Sequence, residues 1–452
     1  MTKQTHSLKR YCFSEKGNAL VLVITVSIIL LVIMIAAVVL LQQQTKLVSG
    51  SRRKSEALSV AEAGLDSAIW RLEENETLSE GTFSGYNSQG QYTVEVTKPI
   101  AANDYQYRIT STGEYTDTGT KRKIQQEVYY INLSRSIYSY SGTSGGGQVE
   151  GNVNIRGPFY TAGDLNLSGN VSIHNLTGTT GNPIMIRGAL TISSAAVTIG
   201  GDWATSGDGS PMAIFIKGAI NTQNNSQLFD LKSRQVPEVT LPDIARTQYL
   251  DAAQANDNAV YNGNVVLDAT DIQFGGSGGD YKFDFNSSDF KLKTQGVIYI
   301  DGNLTIAKTN KDLLYNNGSG TKSTIFVNGK IVISEDVIAD TSGGKVYPSS
   351  TVLALINEDQ TTSDNDSPTV DTYDIKLDKQ GTVEAFIYTT GQISTTQKVT
   401  VHGTVMCRLL WIEQVPTLMA PDASANDNFP LLFPGRDLAF LTTTNWREVS
   451  SQ

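Results

Sequence analysis

Histidines, cysteines and paired carboxylates build most catalytic and metal sites, and this chain spaces them widely. Its three histidines are His6, His174 and His402, and none has a second histidine or a cysteine at the spacing of zinc ligands. Of its two cysteines, Cys12 precedes a long apolar run and Cys407 lies deep in a strand-rich region, so they cannot pair if that run spans a membrane. The sequence therefore predicts no metal centre, no disulfide framework and no cofactor.

Acidic residues are the remaining candidates for chemistry, because carbohydrate-active enzymes cleave glycosidic bonds with converging carboxylates. The candidates are Asp202, Asp208, Asp280, Asp284 and Asp301. Most of them stand in turn-like contexts beside Gly or Ser, where Asp is favoured because its side chain bonds to the backbone. No serine-hydrolase, metalloprotease or nucleotide-binding motif accompanies them. We interpret them as turn residues and expect no enzymatic activity.

Charge restricts the possible partners. The chain has a net charge of −10 and a pI near 4.9, whereas nucleic-acid binding needs clustered Lys and Arg, so we expect no nucleic acid as a partner. The Asp-rich stretch SDNDSPTVDTYD (363–374) offers oxygen ligands to calcium, but it lacks the EF-hand spacing and we interpret it as a solvated loop. Binding of a surface glycan or receptor by the polar strands stays open, with no residue assigned to it.

One long apolar run lies between Ala19 and Leu41, where only Thr25 and Ser27 are polar and no residue is charged. As a helix it is about 34 Å long, enough to cross a hydrocarbon layer of ~30 Å. A cleaved export signal would have a shorter apolar core and a small-residue cleavage box. We therefore predict a cytoplasmic leader over 1–17 and a helix over 18–41 that stays in the cytoplasmic membrane, surrounded by membrane lipid. The basic residues flanking the run are balanced, so the acidic, strand-rich remainder decides our preference for an extracytoplasmic C-terminal region.

The helical pattern continues over 42–76 without proline. Apolar residues recur on one helical face, beside a strip of small residues that permits close packing. The helix-packing candidates are Ala57, Ala61, Gly64, Leu65 and Ala68. Two compatible interpretations follow: the face docks on the chain's own globular head, or it also packs on copies of itself or on related subunits.

Three N-terminal features together resemble the PilX-type minor pilins, which are type IV pilus assembly proteins. They are a basic leader ending in Gly17, the apolar run from Asn18 to Leu41, and the segment AEAGLDSA (61–68). The resemblance implies cleavage by a prepilin peptidase between Gly17 and Asn18, and pilin-like subunits and the pilus assembly machinery as partners. Leu22 stands where major pilins carry a glutamate, which favours a minor, initiating or tip-like role. At the cleavage position, Asn18 stands where Phe or Met is usual.

Period-two patterns begin at Gln91 and predict a small antiparallel sheet within 77–140. The stretch SGTSGGGQ (141–148) predicts a flexible linker and a domain boundary. The sheet's position directly after the long helix suits a pilin-like head.

Beyond the linker, a pattern of apolar-x-apolar-x-Gly-x-apolar recurs within 149–415. Its proposed corner glycines are Gly157, Gly188, Gly218, Gly302, Gly329 and Gly403. Each glycine would turn a corner that a Cβ would obstruct, and each coil would bury its face against its neighbours. We therefore predict an α+β, mainly β chain with a parallel β-helix or solenoid, a β-sandwich being the alternative. A helical insertion is expected near 242–256, and a tail over 416–452 is expected to cap the solenoid.

Three functions follow from these patterns. The first is a structural component of a type IV pilus or pilus-like assembly that displays a β-rich head for assembly, priming or adhesion. The second is a permanently anchored β-solenoid envelope protein without a pilus. The third is an anchored carbohydrate-active enzyme.

Overall fold

A computed structural model describes most of the chain. The described residues are 15–75, 80–99, 106–133, 136–141, 149–174, 183–193, 196–200, 214–222, 227–228, 231–233, 236–276, 281–316, 322–358, 373–414, 416–420, 428–436 and 439–449. They form a long N-terminal helix, a five-stranded antiparallel sheet, two large and mostly parallel sheets of 15 and 12 strands, and a three-stranded parallel sheet. The predicted fold class, mainly β with a parallel solenoid, is confirmed, and the β-sandwich alternative is wrong.

Helix α1 (Glu15–Asn75) is unbroken from the apolar run into the head. The next four strands are β1 (Gly81–Tyr86), β2 (Gly90–Thr97), β3 (Gln106–Tyr115) and β4 (Thr120–Asn132). They form an antiparallel sheet in chain order. Along each strand, apolar side chains on the inner face of the sheet alternate with polar side chains on its outer face. The inner face packs on the C-terminal half of α1.

The solenoid is built from two runs of short strands. The first run comprises β5 (Ile137–Ser139), β6 (Asn152–Arg156), β7 (Phe159–Thr161), β8 (Leu165–Leu167), β9 (Asn170–His174), β10 (Ile184–Ile186), β11 (Leu190–Ile192), β12 (Val197–Ile199), β13 (Ile214–Ile216), β14 (Ile220–Thr222), β15 (Gln227–Leu228) and β16 (Leu231–Ser233). Because β5 precedes residues 141–148, the predicted boundary at that linker is wrong. Residues 142–148 of this linker lie outside the described residues.

The second run follows helix α2 (Arg246–Ala255). It comprises β17 (Val260–Asn262), β18 (Val265–Leu267), β19 (Ile272–Phe274), β20 (Phe283–Asn286), β21 (Lys291–Thr294), β22 (Gly296–Asp301), β23 (Leu304–Ile306), β24 (Leu313–Tyr315), β25 (Lys322–Val327), β26 (Ile331–Ile333), β27 (Val337–Ala339), a 3₁₀ turn (Ser342–Gly344), β28 (Val352–Asn357), β29 (Ile375–Leu377), β30 (Gly381–Glu384), β31 (Phe386–Thr395), β32 (Val399–His402), β33 (Val405–Ile412) and β34 (Thr417–Met419). A last strand, β35 (Ala439–Val449), lies outside the solenoid.

The two runs stack in a permuted order. Along one sheet the strands lie in the order β17, β22, β25, β28, β31, β33, β5, β7, β10, β13, β16. The chain therefore enters the stack in the middle, builds outward to one end, returns, and builds inward from the other end. Parallel pairing of β33 with β5 and of β34 with β6 closes the seam between the runs. Coils advance in one direction through the whole stack, as a circular permutation of an ordinary β-helix would require.

Corner glycines permit the close stacking of successive coils. A Cβ at Gly188 would lie closer than 3.0 Å to the backbone of Gly163, and one at Gly218 would meet the backbone of Gly188 equally closely. Gly302 and Gly329 stack in the same way at the corresponding corner of the second run, and Gly403 faces the backbone of Ala385. Gly157, at a different corner, also has a φ of +111°, which disfavours any residue with a side chain.

A strap over residues 236–245 returns the chain along the outside of the stack. Its backbone is held by tyrosine hydroxyls that project from strands on both sides of the seam. Tyr138 donates to the Val239 carbonyl at 2.6 Å, Tyr160 donates to the Pro237 carbonyl at 3.1 Å, and Tyr388 donates to the Pro242 carbonyl. Val239 N–H donates in return to the Tyr160 hydroxyl at 2.9 Å. The strap therefore crosses the seam and ties the two runs together.

The helical insertion begins later than the sequence predicted. Pro242 and Ile244 belong to the extended strap, because the Pro242 carbonyl is engaged by Tyr388, and helix α2 starts at Arg246. Tyr249 and Ala253 of α2 are buried. The Tyr249 ring stacks on Phe326 at a centroid distance of 4.7 Å, so α2 covers the flank of the stack.

The predicted capping tail is wrong in its position. Residues 428–436 lie along the same flank: the Phe433 ring meets that of Phe386 at 5.4 Å, and the Leu432 carbonyl accepts the Tyr249 hydroxyl at 2.5 Å. Strand β35 then pairs antiparallel with β4 and becomes the fifth strand of the small sheet. The flank offers a row of large apolar side chains, which explains why the tail covers it and not a solenoid end.

We expect Gly218→Ala to destabilise the solenoid, because its Cβ would meet backbone atoms that cannot rotate away. Overpacking of this kind costs about 1–3 kcal/mol, which lowers the melting temperature by several degrees. Gly50 is the control, since a Cβ there would meet nothing within 4 Å on an exposed helix. Circular dichroism melts of both variants in detergent check this, and equal melting temperatures would contradict the stacking role.

The buried tyrosines predict alkaline unfolding. Burial raises the pKa of Tyr160 to about 12, whereas an unfolded tyrosine ionises near about 10. The stabilisation by the neutral hydroxyl is therefore complete below pH 10 and is lost as the pH rises through about 12. Denaturant unfolding across this range, read with tyrosinate absorbance, should show both events together. Ionisation of all tyrosines at pH 10 without loss of strand signal would refute the strap contacts.

Candidate assembly surface on helix α1

Gly17 and Asn18, the predicted cleavage position, lie in the first turn of α1. The leader residues 1–14 lie outside the described part of the chain. The proposed scissile bond is therefore already in helical backbone that runs directly into the apolar segment.

No other described residue covers the apolar segment of α1. Its large apolar side chains from Leu20 to Leu41 are each 46–67% exposed. Thr25 and Ser27 donate their hydroxyls to the Val21 and Val23 carbonyls at 2.8 and 2.7 Å, so their polar hydrogens are also satisfied within the helix. Among the described residues, α1 is the one helix long and apolar enough to cross a membrane.

A bare stalk joins the apolar segment to the head. Residues 42–55 of α1 are exposed or half-buried, and the sheet first covers the helix at Ala57. The stalk carries Lys46 and the run Arg52–Arg53–Lys54. Within the described residues, one ion pair involves this stalk: Arg52 Nε lies 2.8 Å from Glu56 Oε1.

The strip of small residues packs on the chain's own sheet. Ala57, Ala61 and Ala68 are fully buried and Leu65 is 4% exposed. A Cβ on Gly64 would lie closer than 3.0 Å to the Ser111 hydroxyl of β3.

Gly113 of β3 completes this contact from the other side. A Cβ there would lie closer than 3.0 Å to the Ala57 carbonyl oxygen and to the Ala61 nitrogen. The strip is therefore occupied by the head, and a second subunit can reach only the other side of this part of α1.

Of the five acidic candidates, the structure describes Asp284 and Asp301. Asp202, Asp208 and Asp280 lie outside the described residues, as does most of the stretch 363–374. Asp284 lies on β20, and Asp301 ends β22, where its Oδ1 accepts the Asn328 amide at 2.6 Å. No group of three or more His, Cys, Asp or Glu side chains among the described residues could hold a metal ion.

The most buried carboxylate, Glu335, has a structural role. It accepts the backbone N–H groups of Thr309 and Asn310 at 2.5 and 2.6 Å and pairs with Lys379. These bonds satisfy the carboxylate within the stack and join three successive coils.

Histidines and cysteine are likewise used in packing. His174 Nε2 lies 2.9 Å from Asn154 Oδ1 of the neighbouring coil. Burial lowers the pKa of His402, whose ring meets Tyr347 edge-on at 5.4 Å. Cys407 is fully buried as a free thiol whose pKa is raised by burial. His6 and Cys12 lie outside the described residues.

The remaining exposed face of α1 is a feature that the sequence patterns did not single out. Its residues are Ser59, Glu62, Asp66 and Trp70, all exposed on the side away from the sheet. Their spacing of three or four residues marks one helical face, which lies opposite the apolar face that the sequence patterns predicted.

No protein-family model matches the chain, and no curated protein matches it either. Among solved structures, the chain is similar to the competence-associated pilin ComZ from Thermus thermophilus. That similarity has a TM-score of 0.40 at 13% identity and covers 88% of this chain and 97% of the other. At this score it carries no argument about fold or function.

We expect Ala61→Leu to break the contact between helix and sheet, since the strip has no room for a larger side chain. Overpacking should cost about 1–3 kcal/mol or more. Ser59→Leu is the matched control, because it places the same side chain two residues away on the exposed side. Limited proteolysis of the head and thermal melts distinguish the two variants. Equal behaviour would contradict the described packing.

Proposed function

We propose that this chain is a membrane-anchored structural subunit of a type IV pilus or a pilus-like assembly. The observation that carries the proposal is the organisation of α1, a single helix of 61 residues. Its first part is apolar and exposed, and its last part packs against an antiparallel sheet. Helix α1 thus joins an apolar segment, which needs apolar surroundings, to a folded head.

The bare segment determines where the chain resides. Burying one Leu or Ile side chain is worth about 1.5–3 kcal/mol, and this segment exposes such side chains on every side. Water is therefore an unfavourable surrounding for it. The segment would lie in the lipid of the cytoplasmic membrane before assembly and would pack on neighbouring apolar helices afterwards.

The N-terminal motifs give the proposal its family. The leader, Gly17, the apolar run and the AEAGLDSA segment resemble PilX-type minor pilins, so prepilin peptidase and other pilin-like subunits are the partners we propose. Leu22 leaves the apolar segment without a carboxylate, which suits a minor, initiating or tip-like subunit. The assembly machinery would move the C-terminal head outside the membrane.

The solenoid is the displayed part in this proposal. Strands β4 and β35 pair with each other. The chain runs from β4 into the stack at β5, and it reaches β35 after the segment 428–436 on the flank of the stack, so two adjacent strands of the head connect to the stack. This double attachment suits a rigid display role in assembly, priming or adhesion to a surface glycan or receptor. We assign the chain a structural and not a catalytic role, and no nucleic-acid partner.

The proposal predicts a processed N-terminus. Mass spectrometry of the membrane-extracted protein should find a mature chain that starts at Asn18, and the full leader should persist in cells that lack the prepilin peptidase. An intact Met1 in both strains, with a stable membrane pool, would instead favour the permanently anchored envelope protein. Polysaccharide cleavage that is lost when Asp301 is replaced would favour the carbohydrate-active enzyme.

A further inference from the structure

One corner of the solenoid brings an amine and a carboxyl group together from successive coils. Glu335 lies between β26 and β27, and Lys379 lies at the equivalent corner of the next coil, between β29 and β30. The Glu335 side chain is fully buried, and its Oε2 is in direct contact with Lys379 Nζ. The two residues are 44 positions apart in the chain, so the stacking of the coils produces this contact.

The two oxygens of the Glu335 carboxyl group have different surroundings. Oε1 accepts the backbone N–H groups of Thr309 and Asn310 at 2.5 and 2.6 Å, from the coil on the opposite side. Oε2 faces the amine of Lys379. Two backbone N–H groups on one oxygen stabilise the oxyanion of a tetrahedral intermediate in acyl transfer. The carboxyl carbon is therefore placed for attack by the amine nitrogen, with Oε2 as the departing oxygen.

A second carboxyl group lies beside the amine and can carry protons. Asp336 Oδ2 lies 3.9 Å from Lys379 Nζ, and Asp336 Oδ1 accepts the Thr382 N–H at 2.5 Å. Burial raises the pKa of Asp336, and the neighbouring Asp312 carboxyl, which bonds to it, acts in the same direction. Because two adjacent carboxyl groups disfavour double ionisation, this pair keeps a proton close to the amine.

The surroundings of the amine favour its neutral form. Burial lowers the pKa of Lys379; the charge of Asp312 opposes this shift and that of Lys308 adds to it. The neutral amine is the form that attacks a carbonyl carbon. Taking two opposite charges out of water is costly even when they pair. A neutral amide in the same place would avoid that cost and would keep both hydrogen bonds at the oxygen that Thr309 and Asn310 contact.

We propose that Lys379 and Glu335 are joined by an amide bond that forms spontaneously in the folded solenoid. A bond forms between Lys379 Nζ and Glu335 Cδ, and the bond between Cδ and Oε2 breaks. Of the three protons on the starting ammonium group, one stays on the amide nitrogen and two leave with Oε2 as water. Asp336 passes these protons from nitrogen to oxygen.

This condensation needs no oxidant and no co-reactant, because the ammonium and carboxylate groups already contain every atom of the amide and of the water. Water opposes amide formation between free groups. Groups held in a reactive geometry behave as if present at about 10⁵–10⁸ M, which favours the bond within the stack.

The bond would tie neighbouring coils together in a chain for which we expect no disulfide framework. Cys407 is a buried free thiol. The amide would close a loop of 44 residues and restrict the unfolded chain as a disulfide does. The inference goes beyond the proposed function and stands whether or not the chain enters a pilus.

Peptide mass spectrometry of the full chain, purified in detergent, tests the bond. Trypsin should leave Lys379 uncut and release one branched peptide, in which residues 377–398 are attached to residues 331–345 with the loss of one water. Lys379→Arg keeps the positive charge but removes the reactive amine, so residues 331–345 should then appear as a separate, unmodified peptide. The same unmodified peptide from the wild-type chain, with cleavage after Lys379, would show an ion pair only and would overturn the proposal.

Lys376→Arg is the matched control, because Lys376 forms an ordinary ion pair with Asp378 at 3.3 Å near the same corner. This variant should keep the link and the wild-type melting temperature. The unlinked Lys379→Arg chain should melt roughly 5 °C lower, and equal melting temperatures would overturn the stabilising role of the bond.

Asp336→Asn tests the proton carrier. This variant should keep the strand signal in circular dichroism but leave most chains unlinked, because the amide cannot pass protons from nitrogen to oxygen. Complete linkage in Asp336→Asn would overturn the role given to Asp336.

Discussion

The close approach of α1 to strand β3 is the contact on which the rest of the molecule depends. Backbone atoms of the helix at Ala57 and Ala61 lie where Gly113 has no side chain, and Gly64 makes room in return for Ser111 and Tyr92. Small residues on both elements allow this approach, so the sheet can hold the upper half of the helix firmly. Within the described part of the chain, nothing packs on the lower half of the helix. This half then becomes a rod of fixed direction that can enter a membrane or pack on a neighbouring helix.

The permuted solenoid extends this rigidity away from the rod. Because the chain enters the stack at β5 and leaves it after β34, on neighbouring coils, both connections reach the same sheet. A conventional solenoid would enter at one end and leave at the other, and one strand would attach it. Here β4 and β35 share the attachment, while the strap and the tail cover the flank over which the two runs meet.

Local patterns in the sequence predicted the elements but not their order in space. The period of three to four residues over 42–76, the period-two pattern within 77–140 and the recurring apolar-x-apolar-x-Gly-x-apolar pattern each depend on neighbours in the chain, so helix, antiparallel strands and coils were predictable. The seam was not, because pairing of Val405 with Ile137 joins residues that no local pattern connects. The position of the tail was predicted wrongly for the same reason. The sequence alone does not show the row of aromatic side chains on the flank, so Phe433 was expected in a cap at the end of the solenoid. Gly113 illustrates the same limit, since its role depends on a helix that lies far away in the chain.

The central claim, that α1 is one straight rod locked to the head, is tested most directly by a distance across its bare stalk. Spin labels at Gln43 and Ser67, in the full chain reconstituted in lipid, should give a narrow distance distribution near about 36 Å, the length of an unbroken helix over this span at ~1.5 Å per residue. A broad distribution, or one centred well below that length, would mean that the helix bends or breaks between membrane and head, and the account of a continuous rod would fail.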